Sequence, residues 1–276
     1  MSGLRGTQYW GRRKARWYSE ALRYSDYPDK ILRVMEPVVR ECSSLLDIGA
    51  GCGALCIPLA DVFDRVVALD ASEAMLEALC ERAGSAGVSN IWAEAATWDE
   101  AKRRLGTFDV VLCANVVNLL NDPATSIAHL EQHVKRYLFL VVGTPKNSDK
   151  FHFRELWPLI YGKSFPEKED YFAIYSYLYR MHIFANVVMV SYDFDQPFKD
   201  LGEAVLFWKE HMGLDGNEWD ETLREFLSKK LERSGGRLWA RVPKQSAVIW
   251  WQPMCQGEQP KAGSKLADLS RFEERT

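Results

Sequence analysis

The chain lacks any apolar run approaching the ~20 residues needed to span a bilayer. Its start is basic and aromatic and lacks the apolar stretch of a secretory signal. Its six cysteines, Cys42, Cys52, Cys56, Cys80, Cys113 and Cys255, show none of the paired spacing of a secreted disulfide framework. Cys52 and Cys56 stand four apart, but no second pair completes a zinc site, so no metal is expected. Most of the cysteines fall in apolar stretches, where free thiols behave as small hydrophobes, and a reducing cytoplasm is the expected compartment. An excess of positive charge is missing too: 35 Lys and Arg stand against 38 Asp and Glu, for a net charge of −3. That leaves no broad cationic face for nucleic acid. The densest basic run, Arg12, Arg13, Lys14 and Arg16, is set among Trp10, Trp17 and Tyr18 and reads as a solvated helix face. Internal repeats are absent as well. The expected partners therefore include neither nucleic acid nor membrane, and the chain is expected to be a monomer or homodimer.

What is present is a globular composition. Over 276 residues, 47% are hydrophobic and 26% charged, which excludes a disordered chain and suits one large α/β domain or a core with an insertion. Residues 8–22 read as an amphipathic helix rich in aromatics and arginine, and a second helix runs from about Asp29 to Glu41. Short apolar strands then alternate with helices. The strands are Ser44–Ile48, Arg65–Asp70, Ile91–Ala93, Phe108–Ala114 and Tyr137–Gly143. A helix is expected from Ala54 to about Val62, another follows an N-cap at Ser72, and a third is opened by Asp122-Pro123. Continuous apolar strands separated by helices imply a parallel sheet covered on both faces, the doubly wound α/β class.

After Thr144 the rhythm breaks. Residues 145–183 are helical in pattern and dense in aromatics, from Phe151 to Tyr179. Sheet signal returns at Asn186–Tyr192 and Ser246–Trp251, with helices expected near Leu201–His211 and Glu218–Arg233 between them. The segment after Gln252 is polar, punctuated by Gly and Pro, and reads as a mobile tail.

One constellation carries chemistry: Asp47-x-Gly49-x-Gly51-x-Gly53 at the end of the first strand, then Asp70 ending the second. Glycines there let the backbone turn tightly and approach a ligand without Cβ clashes. A carboxylate ~20 residues on is placed to accept hydrogen bonds from ribose hydroxyls. Both features serve any adenosine-containing cofactor, and Gly49, Gly51 and Ala54 also satisfy the looser dinucleotide pattern. Asp47, however, sets an anion beside the loop, which is unfavourable for a pyrophosphate and favourable for an ammonium group.

The segments LLDIGAGCG and VVALDAS closely resemble the first two motifs of the class I S-adenosylmethionine (SAM)-dependent methyltransferases, in a form similar to small-molecule, type 11-like members. Tyr9-Trp10-Gly11-Arg12-Arg13-Lys14-Ala15 with Tyr18 resembles the cap helix of such members, and Phe108–Asn115 resembles their fourth-strand motif. The resemblance covers roughly residues 9–144 and, more loosely, the last two strands. It implies a Rossmann-like methyltransferase fold with a mostly parallel seven-stranded sheet. The divisions are N-terminal cap helices (1–42), a SAM-binding core (43–144), a helical aromatic insertion after the fifth strand (145–183), completion of the core (184–253) and the tail (254–276). It also implies SAM as cofactor and S-adenosylhomocysteine as product. By that resemblance Asp47 with Gly49, Ala50, Gly51 and Gly53 holds the methionine part, Asp70 holds the ribose, Met75 packs on the adenine, and Ala71 is a further cofactor-binding residue. Backbone at Asn115 and Val116 lines the methionine side, and Trp10 and Tyr18 lie on the cap. The family often has an Asp after the third strand for the adenine amino group. Here Glu94-Ala95-Ala96-Thr97 stands instead, so backbone at Ala95 or Ala96 must serve, or Glu94 must turn inward.

SAM carries its own activated methyl, so the protein mainly aligns a nucleophile and excludes water, with a general base needed only for a protonated acceptor. Acceptor choice is expected in the 145–183 insertion, where Tyr171, Ile174, Tyr175 and Leu178 share one helix face with His182 a turn further on. This stripe reads either as an aromatic pocket wall, with His152, His182 or Tyr175 acting on the acceptor, or as plain packing onto the core. His129 and His133 read as structural. Asn115-Val116-Val117-Asn118 is not the Asn/Asp-Pro-Pro-aromatic motif of amino-directed base methyltransferases, and no Pro-Cys or Thr-Cys nucleophile follows the fourth strand. A small, aromatic or planar acceptor is the leading expectation. A protein side chain, a NAD-binding oxidoreductase and a SAM-binding protein without transferase activity are the alternatives.

Overall fold

The computed structural model describes residues 9–116, 123–144, 150–166 and 171–253. The tail from 254 and Asp122 of the expected helix cap lie outside them. Two helices, α1 (Arg12–Leu22) and α2 (Tyr27–Val39), precede β1 (Ser44–Ile48), α3 (Cys56–Leu59), β2 (Arg65–Asp70), α4 (Glu73–Ser85) and β3 (Ile91–Ala95). Next come α5 (Trp98–Ala101), β4 (Phe108–Ala114), α6 (Pro123–Glu131), β5 (Val134–Gly143), α7 (Phe153–Tyr161) and α8 (Tyr171–Arg180). The described chain closes with β6 (Asn186–Asp193), β7 (Gln196–Phe198), α9 (Leu201–Met212), α10 (Asp220–Lys230), β8 (Glu232–Ser234), β9 (Arg237–Ala240) and β10 (Pro243–Trp251).

Seven strands form one sheet in the order β3-β2-β1-β4-β5-β10-β6. β1 to β5 pair in parallel, while β10 runs antiparallel between β5 and β6. The strand order reverses between β1 and β4, and such a reversal opens a crevice at the carboxyl ends of the strands. Alternation along β1 splits its side chains between two buried layers: Leu45 enters the layer of α1 to α4, and Leu46 and Ile48 enter that of α5, α6 and α8. Burial on both faces is why these strands read as unbroken apolar runs.

Three expectations are corrected. The helix expected over 54–62 is a single turn, α3, because the glycine loop runs on to Leu55. The helix expected over 218–233 stops at Lys230, and Gly235 and Gly236, both left-handed (φ 56° and 74°), turn the chain back into the β8–β9 hairpin. A Gly-Gly pair of this kind suits a two-residue hairpin turn, and with β7 the hairpin makes a second, three-stranded sheet. Third, the 145–183 stretch is not one unit. Ile174 and Leu178 of α8 are buried in the layer under the sheet, whereas Phe153 and Leu156 of α7 join Phe198, Phe207, Trp208 and Leu223 in a separate core with α9 and α10. Among the described residues no helix is long and apolar enough to cross a membrane.

Candidate active site

The glycine loop is fixed from both sides. Gly49 and Ala50 N–H groups donate to Leu69 O on β2 at 2.7 and 3.0 Å, and Gly53 N–H returns to Ala50 O at 3.0 Å. Gly49, Gly51 and Gly53 all have positive φ (74°, 56° and 78°), a region that side chains rarely enter. At Gly49 a Cβ would stand 2.3 Å from Val116 Cγ2, and at Gly53 2.6 Å from Ile57 Cδ1. At Gly51 nothing lies within 4 Å, so this glycine alone of the three faces open space.

Asp47 and Asp70 fall on the same face of the sheet as Leu45 and Ala68, the face roofed by α1 and α2. Asp47 is 2% exposed, and burial pushes its carboxyl up to about 7, while a hydrogen bond from the Cys56 thiol pulls it down and the nearby Asp70 adds to the rise. No Lys or Arg pairs with it among the described residues. Asp70 accepts from Gly51 N–H and Ser72 N–H, each at 2.8 Å. Burial raises its pKa, and those two donors oppose the rise. A buried carboxylate without a cation is costly unless a positive group arrives.

Ser72 does more than cap α4. Its hydroxyl oxygen accepts from Met75 N–H at 3.2 Å, and the hydroxyl donates to Trp10 O at 2.7 Å, docking the N-terminal segment on the strand that ends in Asp70. Trp10 meets Tyr18 edge-on at 5.6 Å, and Arg12 pairs with Glu77 of α4 at 3.0 Å. At the start of α2, Ser25 and Asp26 both bond Asp193 backbone atoms at the end of β6. Tyr18 and Tyr27 are thereby brought over Asp47, and burial holds both phenols protonated, with their pKa values raised. The Tyr192 ring lies tilted 4.7 Å from that of Tyr27, and its hydroxyl shares a 2.9 Å hydrogen bond with Ser246 Oγ. Tyr27, Tyr192 and the side chain of Asn115 did not stand out in the sequence, since each occupies an ordinary core or strand-end position.

The remaining residues singled out in the sequence divide clearly. Ala71 is half-buried beside Asp70 and Asn115 and Val116 close the turn after β4, but Met75 is buried within the first core layer. Ala95 is exposed at the end of β3, Ala96 N–H is already bonded to Asp70 O at 3.1 Å, and Glu94 turns to Arg104 rather than inward. The acceptor-side candidates fall in different places. His182 is exposed after α8, before the start of β6, which runs in the direction of β5. It therefore lies at the amino edge of the sheet, opposite the glycine loop. His152 bonds Glu155 at 3.2 Å and meets Phe226 of α10, and Tyr175 packs against the layer beneath the sheet. None of the three is gathered with Asp47 and Asp70. His133 is structural, its Nδ1 bonded to Gly106 O at 3.0 Å.

Residues 45–137 match the family described as a methyltransferase domain. An uncharacterized protein of Haemophilus influenzae is 27% identical over 238 residues, which cover 82% of each chain. The ubiquinone biosynthesis O-methyltransferase of Vibrio campbellii is 29% identical over 117 residues, 37% of this chain and 50% of that one, so the match spans half of that relative's length. A SAM-dependent methyltransferase from Aquifex aeolicus aligns in structure with 16% identity and a TM-score of 0.48, over 87% of this chain and 98% of that one.

Proposed function

We propose that the protein transfers the SAM methyl group, by in-line displacement, to a small molecule that is aromatic or otherwise planar. The observation that carries the cofactor's placement is Asp47: a buried carboxylate beside a glycine loop, with no cation paired to it among the described residues, fits the ammonium of a methionine moiety. Gly49, Ala50, Gly51 and Gly53 hold that moiety with backbone, the open space at Gly51 giving it room. Asp70 keeps lone pairs for ribose hydroxyls beyond the two N–H groups it already receives, with Ala71 beside it. Asn115 and Val116 close the methionine side, and Trp10 and Tyr18 close the roof. For the adenine, Ala95 backbone is the available partner, because Ala96 N–H and Glu94 are already engaged.

SAM supplies an electrophilic methyl on sulfur whose departure leaves a neutral thioether. The chain's own residues orient the partners and exclude water: the docked cap covers Asp47, and the phenols of Tyr18, Tyr27 and Tyr192, held protonated by burial, offer flat walls with polar tips. With His152, His182 and Tyr175 directed elsewhere, the reading favours an acceptor that reaches the site already nucleophilic. A macromolecular acceptor is less favoured, since the cap encloses the site and net charge builds no docking face for a polyanion.

Two measurements test this reading. In thermal shift, a ligand at 100 times its dissociation constant adds ~2.7 kcal/mol of stability. SAM and S-adenosylhomocysteine are expected to stabilise, and NAD is not. Label from methyl-tritiated SAM, transferred in a dialysed extract supplemented with its own small-molecule fraction, is expected to pass an ultrafilter. Label retained on protein would overturn the small-molecule acceptor.

A further inference from the structure

The turn after β4 opens on Asn115, which is left-handed (φ 58°), a region that asparagine enters more readily than other non-glycine residues. Val116, next in the chain, packs its Cγ2 into the space that a Gly49 Cβ would fill. The Asn115 side chain points away from its own strand, its Nδ2 donating to the Tyr27 hydroxyl at 3.3 Å across 88 residues of sequence. Asn115 N–H remains bonded to Val141 O at 2.9 Å, so the sheet register is kept while the side chain is drawn to the cap.

Tyr27 is itself firmly placed. It begins α2, its N–H donates to Ser25 Oγ at 3.1 Å, and its ring lies 4.7 Å from Tyr192 and 6.3 Å from Phe194. The residue is 2% exposed. A core position with these ring contacts needs only a phenylalanine; the hydroxyl serves the Asn115 amide.

We propose that Tyr27 is a positioning residue of the cofactor site, its hydroxyl holding Asn115 so that the turn after β4 stays seated on the glycine loop. The connection runs from the cap through Tyr27 to Asn115, from Asn115 to Val116, and from Val116 onto Gly49. Cap docking and the shape of the methionine end are thus set together. The inference rests on the SAM reading of the glycine loop and adds to it a residue of the cap that reaches the loop only through Asn115.

The test is a double-mutant cycle read by calorimetric titration of S-adenosylhomocysteine into the full chain, with Tyr27→Phe, Asn115→Gly and the double variant. Phenylalanine keeps the ring packing, and glycine accepts the left-handed backbone without cost. Each single variant is expected to bind up to about tenfold more weakly, the loss of one partly buried hydrogen bond, and the double variant no more weakly than either. Tyr27→Phe is expected to melt within about 4 °C of the wild type. A lowered melting temperature with unchanged affinity would make Tyr27 a packing residue and overturn the proposal, as would single losses that multiply in the double variant. No binding by the wild type would remove the SAM reading itself, and the proposal with it, before any variant is measured.

Discussion

Val116 Cγ2 lies where the Cβ of Gly49 would be, 2.3 Å from the ideal position, and the two residues touch across the reversal in strand order. Gly51, two residues on, has a similar left-handed backbone and open space around it. Alanine at the two positions should therefore behave differently. Gly49→Ala meets both the backbone penalty and a valine methyl, and is expected to destabilise the fold by about 3 kcal/mol or more. Gly51→Ala meets the backbone penalty alone, about 1–2 kcal/mol. Its methyl enters the space assigned to the cofactor, so binding of S-adenosylhomocysteine should be largely lost while melting falls by only a few degrees. Thermal denaturation and calorimetry on both variants check this. Equal loss of stability would show that Gly51 is not open to a ligand.

Asp47 makes stability depend on pH with a definite sign. Its carboxyl titrates at about 7 in the fold against an ordinary value of 3.8. A carboxyl whose pKa rises on folding binds its proton more tightly in the folded state, so its contribution is full below about pH 4, declines toward pH 7 and is absent above it. The unliganded protein should lose melting temperature through Asp47 between about pH 4 and 7. Asp47→Asn should lack that component and melt higher than the wild type at pH 8, while binding SAM much more weakly. Parallel pH–melting curves for the two proteins would show that Asp47 is not the group responsible.

Asp70 has a structural duty besides its assigned ribose contact. Its oxygens take the Gly51 and Ser72 N–H groups, two bonds that fix the loop and the start of α4. Asp70→Ala should weaken S-adenosylhomocysteine by about 1–3 kcal/mol and also lower stability by a similar amount, since two partly buried donors lose a charged acceptor. Asp70→Asn, which keeps one acceptor oxygen, should recover part of the stability and little of the affinity. Calorimetry paired with denaturant unfolding separates the two effects.

The sheet and its cofactor loop were legible because local patterns produce them. Apolar strands, the Asp47–Gly53 turn and Asp70 lie within 30 residues, and Ser72 is a strong N-cap by type. The acceptor side was not legible for a matching reason. Tyr171, Ile174, Tyr175 and Leu178 make a true helical stripe, but periodicity does not say which layer a stripe meets, and α8 meets the underside of the sheet. Tyr27, Tyr192 and Asn115 are gathered from positions far apart in the chain, and no spacing encodes their meeting. The β8–β9 hairpin did carry a local sign in Gly235-Gly236, overridden in the sequence reading by the helical pattern of α10 just before it.

Ser72 makes one of the polar contacts that hold the cap to the core, beside the strand end that carries Asp70. Its hydroxyl both donates to Trp10 O at 2.7 Å and accepts from Met75 N–H at 3.2 Å. Ser72→Ala removes both and should cost about 1 kcal/mol through the lost cap of α4. Ser72→Asp separates the two roles: aspartate caps a helix as well as serine, but as an acceptor it cannot donate to the Trp10 carbonyl and should repel it. Hydrogen exchange across residues 9–27 reports the docking directly. In the wild type, protection should rise when S-adenosylhomocysteine binds beneath the cap. In Ser72→Asp the protection of Trp10 to Tyr18 should fall in the unliganded protein while that of α4 is kept, and the ligand should restore only part of it. Exchange over 9–27 that responds neither to the ligand nor to Ser72→Asp would mean that the cap is a fixed part of the fold, held by Trp17 and Tyr27 in the cores, and that entry to the site lies elsewhere.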